Sequence, residues 1–468
     1  MPTILGANTS STAAYEVANS CRFNDGDSAY MTKTHGSDGN RQTFTISVWL
    51  KRGTLGSVQN ILGSSDSGFG NGLFLQFQAD DTLRFGFQDP NQFKATNRVF
   101  RDCGAWYNII IAVNVNESSN SDRVKIFVNG TQETSFGTDN TMTDADKGWN
   151  NQQAHSVGRS GAYDSQYFDG YLAEVVSIDG SQLNASSFGE FDEDSPKIWK
   201  PIDVSGLTFG TNGFYLDFED SANLGNDKNG GTDLTENNLA ATDQCSDSAT
   251  NNFCVMNSLD NYIASSTFSE GNLKIVTPSS NYQYNTGTFG LTAGKWYFEM
   301  KMTTNATGDF VGIAGRVCGG ALHMAGDYND TWAYSSYDGK YFNNNTGSSY
   351  GDSWATDNTI IGVYIDLNAN KLYFAKNGVV QNSGTGISIT DPASVTNSAY
   401  HPSVGDNWNG DSGTYHMNFG NPTYALSSAQ SDKNGYGQFE YDPSSGTFDG
   451  SSKDFLAICT KNLGSDGG

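Results

Sequence analysis

Carboxylates, amides and aromatic rings dominate the chemistry this chain could do. Asp227, Asn229 and Asp233 place three oxygen ligands in a Gly-rich stretch, a donor set that suits Ca²⁺. The spacing departs from the EF-hand loop, which needs a Glu at its twelfth position, and a solvated acidic turn is the plainer reading. Asp25 and Asp27 form a second acidic pair. Rings interleaved with Asn and Asp are the best ligand candidates. They are Trp149, beside Asn150 and Asn151, then Tyr163, Asp164 and Tyr167. Further on come Trp332, Tyr334, Tyr337, Trp354, Asn407 and Trp408. Aromatic faces stack on the C–H surfaces of sugars or fill protein pockets, and Asn and Asp add directional hydrogen bonds. The competing expectation is that most of these rings cap hydrophobic cores.

Signals for covalent or acid–base catalysis are weak. Gly347-Ser348-Ser349-Tyr350-Gly351 fits G-x-S-x-G, but it lies in a polar Asn/Gly stretch and not between a strand and a helix, as a nucleophile elbow requires. The five histidines, His35, His155, His323, His401 and His416, show no metal-binding spacing. The six cysteines include no C-x-x-C, so a structural zinc site is not expected. Cys245 and Cys254 could pair in an oxidising medium; free thiols are the plainer reading.

The elements that must position these residues read as strands. FTISVWL at 44–50 puts Phe44, Ile46, Val48 and Leu50 on one face and Thr45, Ser47 and Trp49 on the other, the period of a half-buried strand. Residues 73–77 and 83–87 form the arms of a hairpin. Residues 106–114, 124–128 and 171–178 are further strands, with Asn129-Gly130 a tight-turn signal. A last strand of this first set falls near Tyr215, and a polar run to residue 252 reads as a linker. A second set covers 295–302, 310–316, 360–367, 372–376, 400–405 and 415–419. Residues 455–459 are a short apolar run in a polar C-terminal stretch, expected to dock on something.

Composition agrees. The chain has 468 residues, enough for two or three domains. Charged residues make up 16 %, against roughly 25 % in ordinary soluble proteins, and Gly supplies 54 positions. Helix formers are scarce. A net charge of −25 with no basic stripe argues against nucleic acid as a partner. The longest apolar run, about residues 109–113, is far short of the ~20 residues that span a bilayer, and the N-terminal residues carry no signal-peptide pattern. The expected fold is all-β: two antiparallel jelly-roll sandwiches joined by a polar linker. The boundaries are an N-terminal docking segment at 1–20, a first domain at 21–220, a linker at 221–270, a second domain at 271–422 and a tail at 423–468.

These patterns resemble known families. The order of ISVWL, W-Y-N-I, VKIFVNG and G-R…F-D-G-Y-L-A-E-V across about residues 20–220 resembles a laminin-G-like, concanavalin-A-type jelly roll. Across 271–422, GKWYFEMKM, VGIA, IGVYIDL, LYFAKNG, HPSVG and NFG resemble the SPRY domain in order and spacing. Neither fold by itself implies catalysis. Retaining glucanases on the first architecture carry E-x-D-x-x-E on one strand; Glu174, Asp217, Glu219 and Glu299 lack that pattern. Relatives of the first fold often hold Ca²⁺ at the sandwich rim, which is what a bound cofactor here would be.

Together with TNNF at 250–253 and FLAICTKNL at 455–463, the combination looks like structural proteins of tailed phages. That resemblance implies a non-enzymatic virion protein, made in the host cytoplasm and released by lysis. It would be a tail fibre or appendage that binds a host-surface glycan or protein. It would also contact other virion proteins and work as a homo-oligomer, most simply a trimer, without entering a membrane. A capsid-attached fibre or decoration protein and a glycan-processing enzyme are the alternatives.

Overall fold

A computed structural model describes residues 15–64, 72–88, 91–161, 165–261, 265–279, 283–318, 323–407 and 410–465. Strands take 41 % of the chain and helix 6 %. The described chain divides into two compact units, with the boundary in sequence between Thr250 and Asn251.

In the first unit, one antiparallel sheet has at its centre the strands Trp106–Asn114, Thr43–Arg52, Gly170–Asp179 and Ser20–Phe23. The other runs through Gln92–Val99, Thr82–Phe87, Leu73–Phe77, Gln59–Ser64, Ala154–Val157 and Tyr30–Thr34. The two share one core. Phe44, Ile46, Val48 and Leu50 enter it from the first sheet, and Leu75, Phe77, Leu83 and Phe85 from the second, as their period of two requires. Asn129 and Gly130 both take positive φ, 47° and 74°, the signature of a type I′ hairpin turn.

The expected linker is not a linker. Leu224 and Leu234 sit in the first core, Thr235–Asn237 pairs with Tyr30–Thr34, and Gln244–Cys245 pairs with Ser20–Phe23. Lys51 and Asp247, both fully buried, form an ion pair at 2.8 Å. Asp247 also accepts from the Trp106 indole at 2.9 Å. This polar stretch therefore belongs to the first unit: it adds to an edge of each sheet and, through Asp247, meets Lys51 and Trp106.

In the second unit, Lys274–Val276, Thr414–Asn418, Lys295–Thr304, Ile360–Asp366 and Lys371–Lys376 run in order through one sheet. Gln283–Thr286, His401–Asp406, Asp309–Ala314, Thr331–Ser335, Lys340–Asn343 and Thr346–Ser349 make the other. The tail is part of this unit. Leu456–Ala457 adds to Lys295–Thr304 as a parallel strand. Phe439, Phe448, Phe455 and Cys459 pack with Tyr297, Tyr364 and Tyr373. The apolar run at 455–459 thus docks on its own domain. All six cysteines are buried and none is joined in a disulfide.

Candidate functional site

A cavity of about 310 Å³ opens in the second unit, lined by Thr307, Gly308, Phe310, Ser335, Tyr337, Asp338, Phe342 and Asn407. Its floor is apolar: Phe310 is buried, and its ring meets that of Phe342 edge-on at 5.4 Å. The hairpin between Thr331–Ser335 and Lys340–Asn343 carries Tyr337 at its tip, 69 % exposed. Exposed rings of this size are rare among the described residues, and this one borders a concavity.

One buried carboxylate holds the walls together. Asp309 Oδ1 accepts from the Ala306 N–H at 3.0 Å and from the Tyr415 hydroxyl at 2.7 Å. Its Oδ2 accepts from the Ser336 hydroxyl at 3.0 Å, and the Ser336 N–H donates to its carbonyl at 2.9 Å. Burial raises its pKa, opposed by those hydrogen bonds. Both loops of the cavity, 305–308 and 336–339, are thereby tied to one strand end.

The wall at 307–308 is strained and closely fitted. Thr307 has φ 50°, an outlier for a β-branched residue of the kind that collects at ligand sites. Its hydroxyl donates to Asp411 at 3.0 Å. Asn407, at the end of His401–Asp406, passes over Gly308 so closely that a Cβ there would lie 1.9 Å from Asn407 Oδ1. Asp338 pairs with Lys340 at 2.8 Å; hydrogen bonds from Lys340 and Ser335 lower its pKa against the effect of partial burial.

Of the residues expected to bind ligand, the structure brings Tyr337 and Asn407 to this cavity. Trp149 is a core residue, with its indole N–H donating to Ser177 at 3.1 Å. Trp354 is fully buried and packs against Tyr334. Trp332 lies on a strand, not in a loop, and meets Tyr400 edge-on. None of these three presents a face to a ligand. Tyr167 is half-buried beside Tyr30. Tyr163, Asp164 and Trp408 lie outside the described residues, as do residues 1–14 of the expected docking segment.

The expected metal ligands are engaged otherwise. Asp227 Oδ2 pairs with Lys33 at 3.1 Å, and its Oδ1 accepts the N–H groups of Tyr215 and Asn229. Asp233 accepts the Asp227 N–H at 3.0 Å and the Asn223 amide at 2.9 Å. An ammonium stands where a cation would. Among the described residues, no three His, Cys, Asp or Glu side chains gather as a metal site.

The strand carboxylates are also structural. Glu299 accepts from Tyr297 at 2.9 Å and Asn418 at 3.1 Å. It also accepts from the Glu440 and Tyr441 N–H groups at 3.0 and 2.9 Å. Burial pushes its pKa up to about 7. Glu174 sits at a sheet irregularity with φ 48°. It accepts from Tyr215 at 2.8 Å and Tyr15 at 3.1 Å, and burial likewise lifts it to about 7. Asp217 and Glu219 share Lys228. Ser349 lies on the strand Thr346–Ser349, not at a strand-to-helix elbow.

Two family models match this chain. Residues 25–184 match the concanavalin A-like lectin/glucanases superfamily, and residues 295–421 match the SPRY domain. The chain therefore carries a concanavalin A-like domain followed by a SPRY domain. Both are jelly-roll sandwiches, and the lectin-like kinship supports a binding role. Among solved structures, the SPRY domain of human HERC1 is 19 % identical over 31 % of this chain and 87 % of its own, with TM-score 0.26. Stonustoxin is 19 % identical over 35 % of this chain and 27 % of its own, with TM-score 0.27. A Bacteroides ovatus protein described as a "putative carbohydrate binding protein" is 16 % identical over 48 % of this chain and 59 % of its own, with TM-score 0.32. No curated protein matches the chain. Among the described residues, no helix is long and apolar enough to cross a membrane.

Proposed function

We propose that this chain is a non-enzymatic attachment protein of a phage particle, a tail fibre or similar appendage. In this reading the cavity under Tyr337 contacts the host surface. The observation that carries the phage reading is the pairing of the two short segments whose sequences resemble phage structural proteins. Phe253 bridges to Cys459, the Cys254 N–H donates to the Ile458 carbonyl at 3.0 Å, and the Thr460 N–H donates to the Asn252 carbonyl at 2.9 Å. Segments far apart in sequence thus behave as one structural unit. A homo-oligomer, most simply a trimer, suits the role, because linked copies of a weak site gain roughly 10²–10⁴ in avidity. The test is adsorption. Purified chain should bind cells of the bacterial host and block adsorption of particles that an antibody to the chain labels. Unlabelled particles, or adsorption indifferent to excess chain, would overturn the reading.

A further inference from the structure

The cavity under Tyr337 has a ligand preference written in its lining, and the inference rests on the attachment reading above. We propose that it takes an uncharged sugar ring. Three features converge. Its size, about 310 Å³, lies at the low end of the roughly 300–1,000 Å³ found for small-molecule sites, with room for a monosaccharide or short disaccharide. Its rings are divided between a floor, the buried Phe310 and the half-buried Phe342, and an exposed wall, Tyr337. A flat C–H surface can lie on such a wall while its edge stays wet.

Its polar groups are of the kind that sugar hydroxyls need. The amide of Asn407 can donate and accept, while the hydroxyls of Thr307 and Ser335, which donate to Asp411 and Asp338, accept, as does Asp338 itself. Sugar hydroxyls do both as well. No Lys or Arg is among the lining residues. The cation nearest in the hairpin, Lys340, is paired with Asp338. Asp411 stands behind Thr307, and the chain as a whole carries −25. A sialic or uronic acid would meet like charge with no counter-charge to receive it.

Preorganisation points the same way. Asn407 lies across Gly308 so closely that a Cβ there would push its amide aside, and strained Thr307 precedes Gly308. Gly308 is thus a positioning residue, and Tyr337 the contact.

Saturation-transfer NMR and calorimetric titration of the full chain provide the test. The probes are methyl α-glucopyranoside, methyl α-galactopyranoside and N-acetylglucosamine, set against N-acetylneuraminic acid, glucuronic acid and a mixed tryptic peptide digest. At least one neutral sugar should bind, with the acids at least about tenfold weaker. Tyr337→Ala and Gly308→Ala should each lower affinity about tenfold or more, with melting unchanged for Tyr337→Ala and binding kept in Tyr337→Phe. Acids that bind as well as neutral sugars, transfer only to peptides, or no transfer to any neutral sugar would overturn the inference. So would sugar binding indifferent to both variants. If Tyr337→Ala still abolishes adsorption to host cells in those cases, the attachment reading survives and only the ligand class falls.

Discussion

Asp247→Ala should unfold the first unit far more readily than its polar surroundings suggest. Lys51 Nζ and Asp247 Oδ2 are 2.8 Å apart with neither side chain exposed, and Asp247 Oδ1 also takes the Trp106 indole N–H. Removing one member of a buried ion pair costs about 3–5 kcal/mol, because the remaining charge stays desolvated. The indole N–H, left without this acceptor, adds about 1–3 kcal/mol. The contributions overlap, so about 4–6 kcal/mol is expected, or roughly 10–20 °C in melting temperature for a unit of this size. Hydrogen exchange followed by mass spectrometry gives a local readout. Peptides from 43–52 and 106–114 should lose protection, while those from 295–304 should not. Lys51→Met with Asp247→Leu should recover most of the loss, since apolar replacement of a buried pair is often neutral. A shift under about 3 °C for Asp247→Ala, or loss of protection in 295–304 instead, would refute the reasoning.

Trp149→Ala and Trp354→Ala should each cost about 3–5 kcal/mol of stability while leaving the affinity of the folded fraction for ligand unchanged, as denaturant titration and binding at low denaturant would show. Deleting residues 455–468 should abolish the cooperative transition of the second unit. It strips Phe455, Leu456, Ala457, Ile458 and Cys459, all buried, at about 1.5–3 kcal/mol for each large apolar side chain against a total of about 5–15. Circular dichroism melts would detect it. The Glu299 carboxyl, raised to about 7 by burial, binds a proton more tightly folded than unfolded. Its contribution to stability is therefore complete below pH 4.5 and is lost as pH rises through 7. Urea unfolding of wild type at pH 5.5 and 8 should show that loss, and Glu299→Gln should remove its share of the difference.

Strands were legible wherever a buried face imposed a period of two. Residues 106–114, an apolar β-branched run buried on both faces, and 124–128, closed by Asn129-Gly130, also match the observed strands end to end. The covering segments were not legible. Residues 221–250 and 423–465 are polar, and polarity reads as a loop. In the fold that polarity is consumed internally. Asp432 accepts N–H groups of Asn434, Tyr436 and Ala457 and the Asn462 amide. Thr250 bonds both the N–H and the carbonyl of Val17. A short acid or hydroxyl satisfying backbone groups looks the same in sequence as one facing water.

The same ambiguity divided the aromatic candidates. Trp149 has Asn neighbours, but Asn150 spends its amide on the Asn40 carbonyl and the Asp179 carboxylate. Its company was structural, not solvent, and the ring went inward. Tyr337 has similar neighbours, Ser336, Asp338 and Gly339, yet points out. The difference is ladder position. Ser335 is the last residue of its strand, paired with Phe310, and Ser336 is claimed by Asp309. The residue that follows is the first one free of both the ladder and the anchor. In this hairpin, the ring left exposed stands one step past the last paired and tethered residue. That position depends on where Asp309 falls across the sheet, a contact 27 residues away in sequence that no local pattern encodes.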